Sequence, residues 1–95
     1  MTVTVVTTFV KADASTQNYV NADVVNLVSQ YEQAEKITYR HTSTSADGLT
    51  ETRTRVFANQ AAYDAFKLED VVVKNKALRE KWCADNNVKM KREVK

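Results

Sequence analysis

The chain has 95 residues, of which 43% are hydrophobic and 27% charged, and its formal net charge is +2 at pH 7. This balance excludes a disordered chain and gives no reason to expect nucleic acid as a partner. We expect a single domain over residues 1–95. The lone Cys83 forms no internal disulfide, and no apolar run approaches the roughly 20 residues of a membrane span. The N-terminus lacks the basic region of a signal peptide, so a cytoplasmic location is the expectation.

The first predicted elements are a strand and an amphipathic helix. Residues 2–10 are rich in Val and Thr with apolar residues on both sides, which favours a central strand. Ser15 or Thr16 is the predicted N-cap of a helix over residues 17–35. Apolar residues recur there at spacings of three and four, as on the buried face of a helix: Val20, Val24, Leu27, Val28 and Tyr31.

The next predicted unit is a β-hairpin over residues 36–58. It turns at Asp47-Gly48, and Gly48 is the only glycine of the chain. An Asp-Gly pair between β-rich segments favours a two-residue turn in which both residues have positive φ. With that turn the numbers of paired residues sum to 95, so Tyr39 lies opposite Val56.

The predicted register divides the hairpin into two faces because side chains alternate along a strand. One face carries Ile37, Tyr39 and His41, and it is the face expected to lie under the helices. The other face carries the arginines of the hairpin, which are Arg40, Arg53 and Arg55.

The last third of the sequence predicts a broken helix and an edge strand. Asn59 can cap a helix that begins at Gln60, and we expect an interruption between residues 68 and 70 because a cluster of β-branched valines follows. A longer helix carrying Leu78 and Trp82 then continues to about Asp85. Residues 88–94 alternate apolar and charged side chains, which is typical of an edge strand.

The order of these elements is strand, helix, strand, strand, helix, strand. This order predicts an α+β, ferredoxin-like split βαβ fold (βαββαβ), in which two helices cover one face of a four-stranded antiparallel sheet. Right-handed crossovers place the first and third strands at the centre of the sheet.

The passage from the third strand into the broken helix, residues 54–66 (TRVFANQAAYDAF), resembles the dimeric α+β barrel superfamily. Within that superfamily the chain is similar to small proteins related to antibiotic biosynthesis monooxygenases. The resemblance implies a homodimer whose sheets pack face to face. It also implies a ligand cavity between the sheet and the helices of each subunit.

Three side chains are candidates for a catalytic role under this resemblance: His41, Tyr39 and Trp82. Imidazole titrates near neutral pH and can act as an acid or a base. The alternative for His41 is a hydrogen-bonded side chain on the sheet surface, and for the aromatic residues it is core packing. The sequence shows no metal-ligand spacing and predicts neither a metal nor a cofactor.

Arg40, Arg53 and Arg55 form a candidate anion site. Like charges opposed across a hairpin repel one another, so an anion would balance them.

Three hypotheses for function follow. The first is a self-associating binding or structural module, a homodimer through the sheet face without an identifiable catalytic site. The second is a monooxygenase-like small-molecule enzyme, and the third is an anion or RNA binder, with nucleic acid the less favoured ligand because the sheet offers few aromatic residues on which bases can stack.

Overall fold

The computed structural model describes residues 1–95 and contains four strands and three helices. In chain order these are β1 (Val3–Lys11), α1 (Ala22–Gln33), β2 (Ile37–Thr44), β3 (Thr50–Phe57), α2 (Gln60–Leu68), α3 (Asp70–Asp85) and β4 (Val88–Val94). The strands form one antiparallel sheet in the order β2-β3-β1-β4. The predicted ferredoxin-like fold is confirmed, with β1 and β3 central. None of the helices combines the length and apolar character needed to cross a bilayer.

The hydrophobic core lies between the helices and one face of the sheet. Alternate residues of β1 point toward the helices, so Val3, Val5 and Phe9 are buried. Phe57, at the end of β3, pairs with Val3 and is only 1% exposed. Val3, Val5 and Phe57 belong to one core cluster, whose other buried members are Val28, Tyr31, Ile37, Ala62, Tyr63 and Phe66.

Helix α1 begins later than the sequence predicts. Its N-cap is Asn21, whose side-chain oxygen accepts hydrogen bonds from the backbone N–H groups of Asp23 (3.0 Å) and Val24 (3.4 Å). Ser15 instead forms a local turn in which its backbone N–H and its hydroxyl both donate to Asp13. Asn is among the best N-cap residues, and Asn21 stands directly before the buried stripe. Residues 12–21 therefore form a loop, which we call the β1–α1 loop.

The hairpin register is confirmed, but the predicted turn is wrong. Tyr39 pairs with Val56, as expected. Of the two predicted turn residues only Gly48 has a positive φ, of 74°, and the loop inside the Ser45–Thr50 pair spans the four residues 46–49 rather than two. The backbone N–H of Gly48 donates to the carbonyl of Ser45 (2.9 Å), and that of Ser45 donates to the carbonyl of Thr50 (2.8 Å). A four-residue loop keeps the same pairing sum as a two-residue turn, so the register survives.

Replacing Gly48 by alanine is expected to lower the free energy of unfolding by about 1–2 kcal/mol, because a left-handed backbone is unfavourable for a residue with a side chain. The added Cβ would also come within 3.3 Å of the Cβ of Ala14. Urea denaturation measures the loss. Gly48→Asn is the matched control and is expected to lose less, because Asn tolerates this conformation better. Equal stability of Gly48→Ala and wild type would contradict the account.

The predicted assignment of hairpin faces is also wrong. A β-bulge lies between Ile37 and Tyr39, so these two residues do not share a face. Ile37 is buried under the helices, whereas the Tyr39 side chain lies on the other face and is 54% exposed. On β3, burial of Phe57 turns residues 55, 53 and 51 toward the helices as well, since they alternate with period two. The arginine-bearing face is therefore the face that the helices cover.

The predicted interruption of the second helix is confirmed at Glu69, which has an extended conformation between α2 and α3. The hydroxyl of Tyr31 donates to the Glu69 carboxylate over 3.1 Å, which ties the break to α1. Leu78, which lies one turn before Trp82 on α3, is 55% exposed. The inner face of α3 instead carries Asn75, which is buried.

Candidate functional site

A cavity of about 330 Å³ lies between the helix-covered face of the sheet and the three helices. The side chains at the centre of that sheet face are long and polar, so they do not fill the space as aliphatic side chains would. All five arginines of the chain line the cavity, whereas only one of its nine lysines does. The arginines are Arg40, Arg53, Arg55, Arg79 and Arg92. The cationic lining is thus a property of arginine placement and not of overall charge.

Arg53 is the only one of these arginines paired with a carboxylate that lines the cavity. Its guanidinium lies 3.0 Å from the carboxylate of Glu51, whose side chain is only 4% exposed. The guanidinium also stacks over the ring of Phe9, at 4.9 Å from the ring centroid. It donates a further hydrogen bond to the backbone carbonyl of Tyr19. Arg53 therefore joins β3 to the β1–α1 loop.

Arg55 is half-buried and has no carboxylate partner in any ion pair of the chain. Its guanidinium lies over the ring of Phe66, at 5.2 Å from the centroid. Burial, and after it the positive charges of the other arginines with Arg92 first, lower the pKa of Arg55 to about 10. It stays positively charged at neutral pH, so the unbalanced charge is retained in the folded protein.

Arg79 and Arg92 belong to the site although the sequence analysis did not single them out. The Nε of Arg79 is buried without a hydrogen-bond partner, and burial lowers the pKa of this residue. The Nε of Arg92 donates to the hydroxyl of Thr7 over 3.4 Å. Their spacing could have indicated this position. Arg92 follows Met90 by two residues and so lies on the same face of β4, and Arg79 follows Asn75 by one helical turn and so lies on the same side of α3.

Arg40 lies at the β2 edge of the cavity, where it is exposed to solvent. Its Nε is 3.3 Å from the carboxylate of Glu32 on α1, and the two side chains are 50% and 34% exposed. This ion pair is open to water and contributes little to stability. Of the three arginines predicted to bind an anion, Arg53 and Arg55 therefore lie inside the cavity, while Arg40 lies at its rim.

The β1–α1 loop covers one side of the cavity. Lys11 is 7% exposed, and its Nζ donates to the carbonyl of Thr16 (2.9 Å) and to the side chain of Asn18. Farther along the loop, Asn75 of α3 accepts hydrogen bonds from the hydroxyl of Tyr19 (2.5 Å) and the side-chain amide of Asn21 (3.0 Å). These contacts hold the middle and the C-terminal end of the loop in place over the arginine-lined cavity.

Replacing Tyr19 by phenylalanine is expected to lower the free energy of unfolding by about 0.5–1.5 kcal/mol, the usual net contribution of one hydrogen bond. Hydrogen exchange of loop amides should quicken, because one of the two bonds that hold the loop to Asn75 is lost. Tyr39→Phe is the matched control, since that hydroxyl lies on the exposed sheet face. Equal exchange rates in both variants would contradict this role of the loop contact.

The three candidate catalytic residues do not converge on one point. Tyr39 and His41 stack on each other, with ring centroids 6.4 Å apart, on the sheet face away from the helices. Trp82 lies on the helix side and packs against the rings of Phe9 and Tyr19, with centroid separations of 6.4 Å and 5.5 Å. Only His41 of the three contributes to the cavity lining. The three residues therefore do not line one common cavity.

Part of the wall opposite the sheet is apolar, although Asn75 and Arg79 of α3 lie there too. Val24 and Val28 of α1, Val72 of α3 and Phe66 of α2 all face the cavity. Val28 is 2% exposed and Phe66 is 5% exposed, so this wall is part of the core. The cavity thus combines arginines on the sheet and on α3 with an apolar ceiling formed by α1 and by Phe66, an arrangement suited to a small molecule that has both polar and apolar parts.

The sequence matches no protein-family model and no curated protein. The structure is similar to solved structures of proteins from three bacteria. A protein of Deinococcus radiodurans described as a candidate antibiotic biosynthesis monooxygenase has a TM-score of 0.57 and 15% identity, covering 100% of this chain and 90% of that chain. A Shewanella oneidensis protein has a TM-score of 0.55 and 13% identity, covering 98% and 91%. A Mycobacterium tuberculosis protein has a TM-score of 0.54 and 15% identity, covering 98% and 93%.

These similarities extend over nearly the whole of each chain, so they concern the complete fold and not one motif. The fold expected from residues 54–66 and from the element order, that of proteins related to antibiotic biosynthesis monooxygenases, is thereby confirmed. At 13–15% identity they show a shared fold alone. The chemistry of this chain has to be argued from its own cavity.

Proposed function

We propose that the protein is a self-associating binding module that holds a small anionic molecule in the arginine-lined cavity. The observation that carries this proposal is the convergence of all five arginines on one cavity whose lining contains a single carboxylate, that of Glu51. Guanidinium groups bind carboxylates and phosphates through paired, charge-assisted hydrogen bonds. Arg55 and Arg79 retain donors for which the chain supplies no carboxylate.

The cavity's position favours a small molecule over RNA. Recognition on the surface of a sheet needs an open face on which bases can stack, and the arginine-bearing face lies beneath three helices. A volume of about 330 Å³ is also too small for a polymer to pass through. It lies at the lower end of the range of roughly 300–1,000 Å³ that is typical of small-molecule sites.

Thermal unfolding in inorganic phosphate tests the proposal, with sodium chloride at matched ionic strength as the reference. We expect phosphate to raise the Tm of the wild type, because a ligand that binds only the folded state stabilises it. The double variant Arg55→Met, Arg79→Met should lose this effect. Native mass spectrometry of protein purified from cells, before dialysis, would in addition give the mass of any retained ligand.

The matched control is Lys74→Met, Lys81→Met, which removes the same charge from the outer side of α3. Both lysine side chains are about three-quarters exposed, at 73% and 75%, and do not line the cavity. This variant should keep the full phosphate effect. An equal Tm change in both double variants would refute the cavity as the anion site.

We also propose that the protein forms a homodimer through the sheet face that no helix covers. Val6 and Val56 are half-buried there, and Val10 and Tyr39 are 43% and 54% exposed, a combination typical of a surface that another subunit covers. The arginines do not obstruct this contact, because they lie on the opposite face. Sedimentation equilibrium should give a dimer, and Val6→Lys should give a monomer. A wild type that stays monomeric at high concentration would refute the contact.

A monooxygenase-like enzyme is the second candidate function, and the observation that favours it is the cavity between the sheet and the helices. Incubating the protein in air with a molecule retained through purification tests it. Mass analysis of that molecule should show the gain of an oxygen atom if the protein is an oxygenase. An unchanged mass would leave binding as the function.

A further inference from the structure

We infer that the ligand carries at least two negative charges at one end and an apolar group at the other. The chemical class is a phosphate monoester or dicarboxylate of a compact aromatic or aliphatic body. This inference rests on the proposed function and specifies the ligand of the same cavity.

The requirement for two charges follows from the balance of charge in the lining. Glu51 offsets Arg53, and Glu32 offsets Arg40 at the rim. Arg55, Arg79 and Arg92 have no carboxylate partner in any ion pair of the chain. In addition to burial, the charges of Arg92 and Arg79 help to lower the pKa of Arg55, and that of Arg92 helps to lower the pKa of Arg79. A single negative charge would leave two of these three positive charges unbalanced, whereas a dianion leaves one.

The requirement for an apolar group follows from the ceiling. Val24 and Val28 of α1 line the cavity, and α1 contributes no charged side chain to the lining. An ion without an apolar part would leave this wall facing water or empty space. A ring placed there removes apolar surface from water, which is favourable in proportion to the area buried. The two ends of the ligand are thus oriented by the two walls.

The probes that separate these features are phenyl phosphate, phenyl sulfate and inorganic phosphate. Phenyl phosphate and phenyl sulfate have nearly the same shape, but the phosphate ester carries close to two negative charges at pH 7.5 and the sulfate ester carries one. Inorganic phosphate has the charge without the ring. Isothermal titration calorimetry of the full chain at fixed ionic strength gives a Kd for each.

We expect phenyl phosphate to bind at least about tenfold more tightly than either other probe, since a second charge near unpaired guanidinium groups and a buried ring each strengthen binding. Equal Kd values for phenyl phosphate and phenyl sulfate would overturn the two-charge requirement while leaving anion binding intact. Equal Kd values for phenyl phosphate and inorganic phosphate would overturn the apolar requirement. No binding of any probe at millimolar concentration would overturn the proposed function itself.

Two variants locate the binding of phenyl phosphate. Arg79→Met should weaken phenyl phosphate more than phenyl sulfate, because it removes a charge that the dianion uses. Val24→Asn should weaken both esters and leave inorganic phosphate unchanged, because it alters only the ceiling. Far-UV circular dichroism checks that each variant folds. Equal weakening of the two esters by Arg79→Met would contradict the assignment of the charged end.

Discussion

Replacing Arg55 by methionine is expected to raise the free energy of unfolding of the unliganded protein by about 1–3 kcal/mol, since each unit by which burial lowers a cation's pKa corresponds to about 1.4 kcal/mol. Folding lowers the pKa of Arg55 to about 10, so the charged guanidinium disfavours the folded state at neutral pH. The contact with the Phe66 ring offsets part of this cost. Methionine is similar in length and carries no charge. Urea denaturation followed by tryptophan fluorescence measures the change.

The matched control is Arg40→Met, the same substitution at the rim of the cavity. Arg40 is half-exposed beside Glu32, so its stability change should stay within about 1 kcal/mol. A stability gain at Arg55 together with loss of the phosphate effect would identify a residue kept for binding at the expense of stability. A clear loss of stability in Arg55→Met would contradict this account.

Replacing Glu51 by glutamine is expected to lower the free energy of unfolding by about 3–5 kcal/mol, because breaking a buried ion pair leaves its partner's charge uncompensated. The Glu51 side chain is 4% exposed, and it is the only carboxylate that lines the cavity. Glutamine preserves the shape, so the loss reports on charge. The same variant should bind phosphate more tightly than the wild type does, because the anion then meets no repulsion from Glu51 and can balance Arg53.

The two effects of Glu51→Gln are measured separately. Urea denaturation without phosphate gives the loss of stability, and titration calorimetry with inorganic phosphate gives the change in affinity. Glu32→Gln is the matched control, and it should cost no more than about 1 kcal/mol because its ion pair with Arg40 is exposed. Weaker phosphate binding by Glu51→Gln would contradict the charge balance proposed for the cavity.

The site could be predicted from the sequence only in part. Arg40, Arg53 and Arg55 drew attention because they share one face of a hairpin, with Arg40 opposite Arg55, and that pattern needs nothing beyond the register. Their placement beneath the helices was missed, because it depends on a bulge of one residue near Ile37 and on which face of β3 is buried. Phe57 carried the deciding signal: an aromatic residue that alternates with Arg55 and Arg53 draws the whole row inward when it enters the core.

The sequence by itself determined the order of the elements, the central position of β1, the hairpin register and the break at Glu69. These features depend on short-range patterns: strand alternation, helical periodicity and N-caps act over a few residues, and the order of elements restricts the topology to a few choices. These features are therefore predicted correctly even though the turn at Asp47 and the start of α1 are not.

Only the tertiary structure decided that five arginines from two edge strands, a central strand and a helix share one cavity. Arg79 and Arg92 are far from the hairpin in sequence, and no local pattern relates them to Arg55. Their convergence depends on how the helices pack across the sheet, and a long polar side chain is stable beneath a helix only where neighbouring groups leave it room. The fold is thus encoded locally, whereas the charge of the cavity is a consequence of packing.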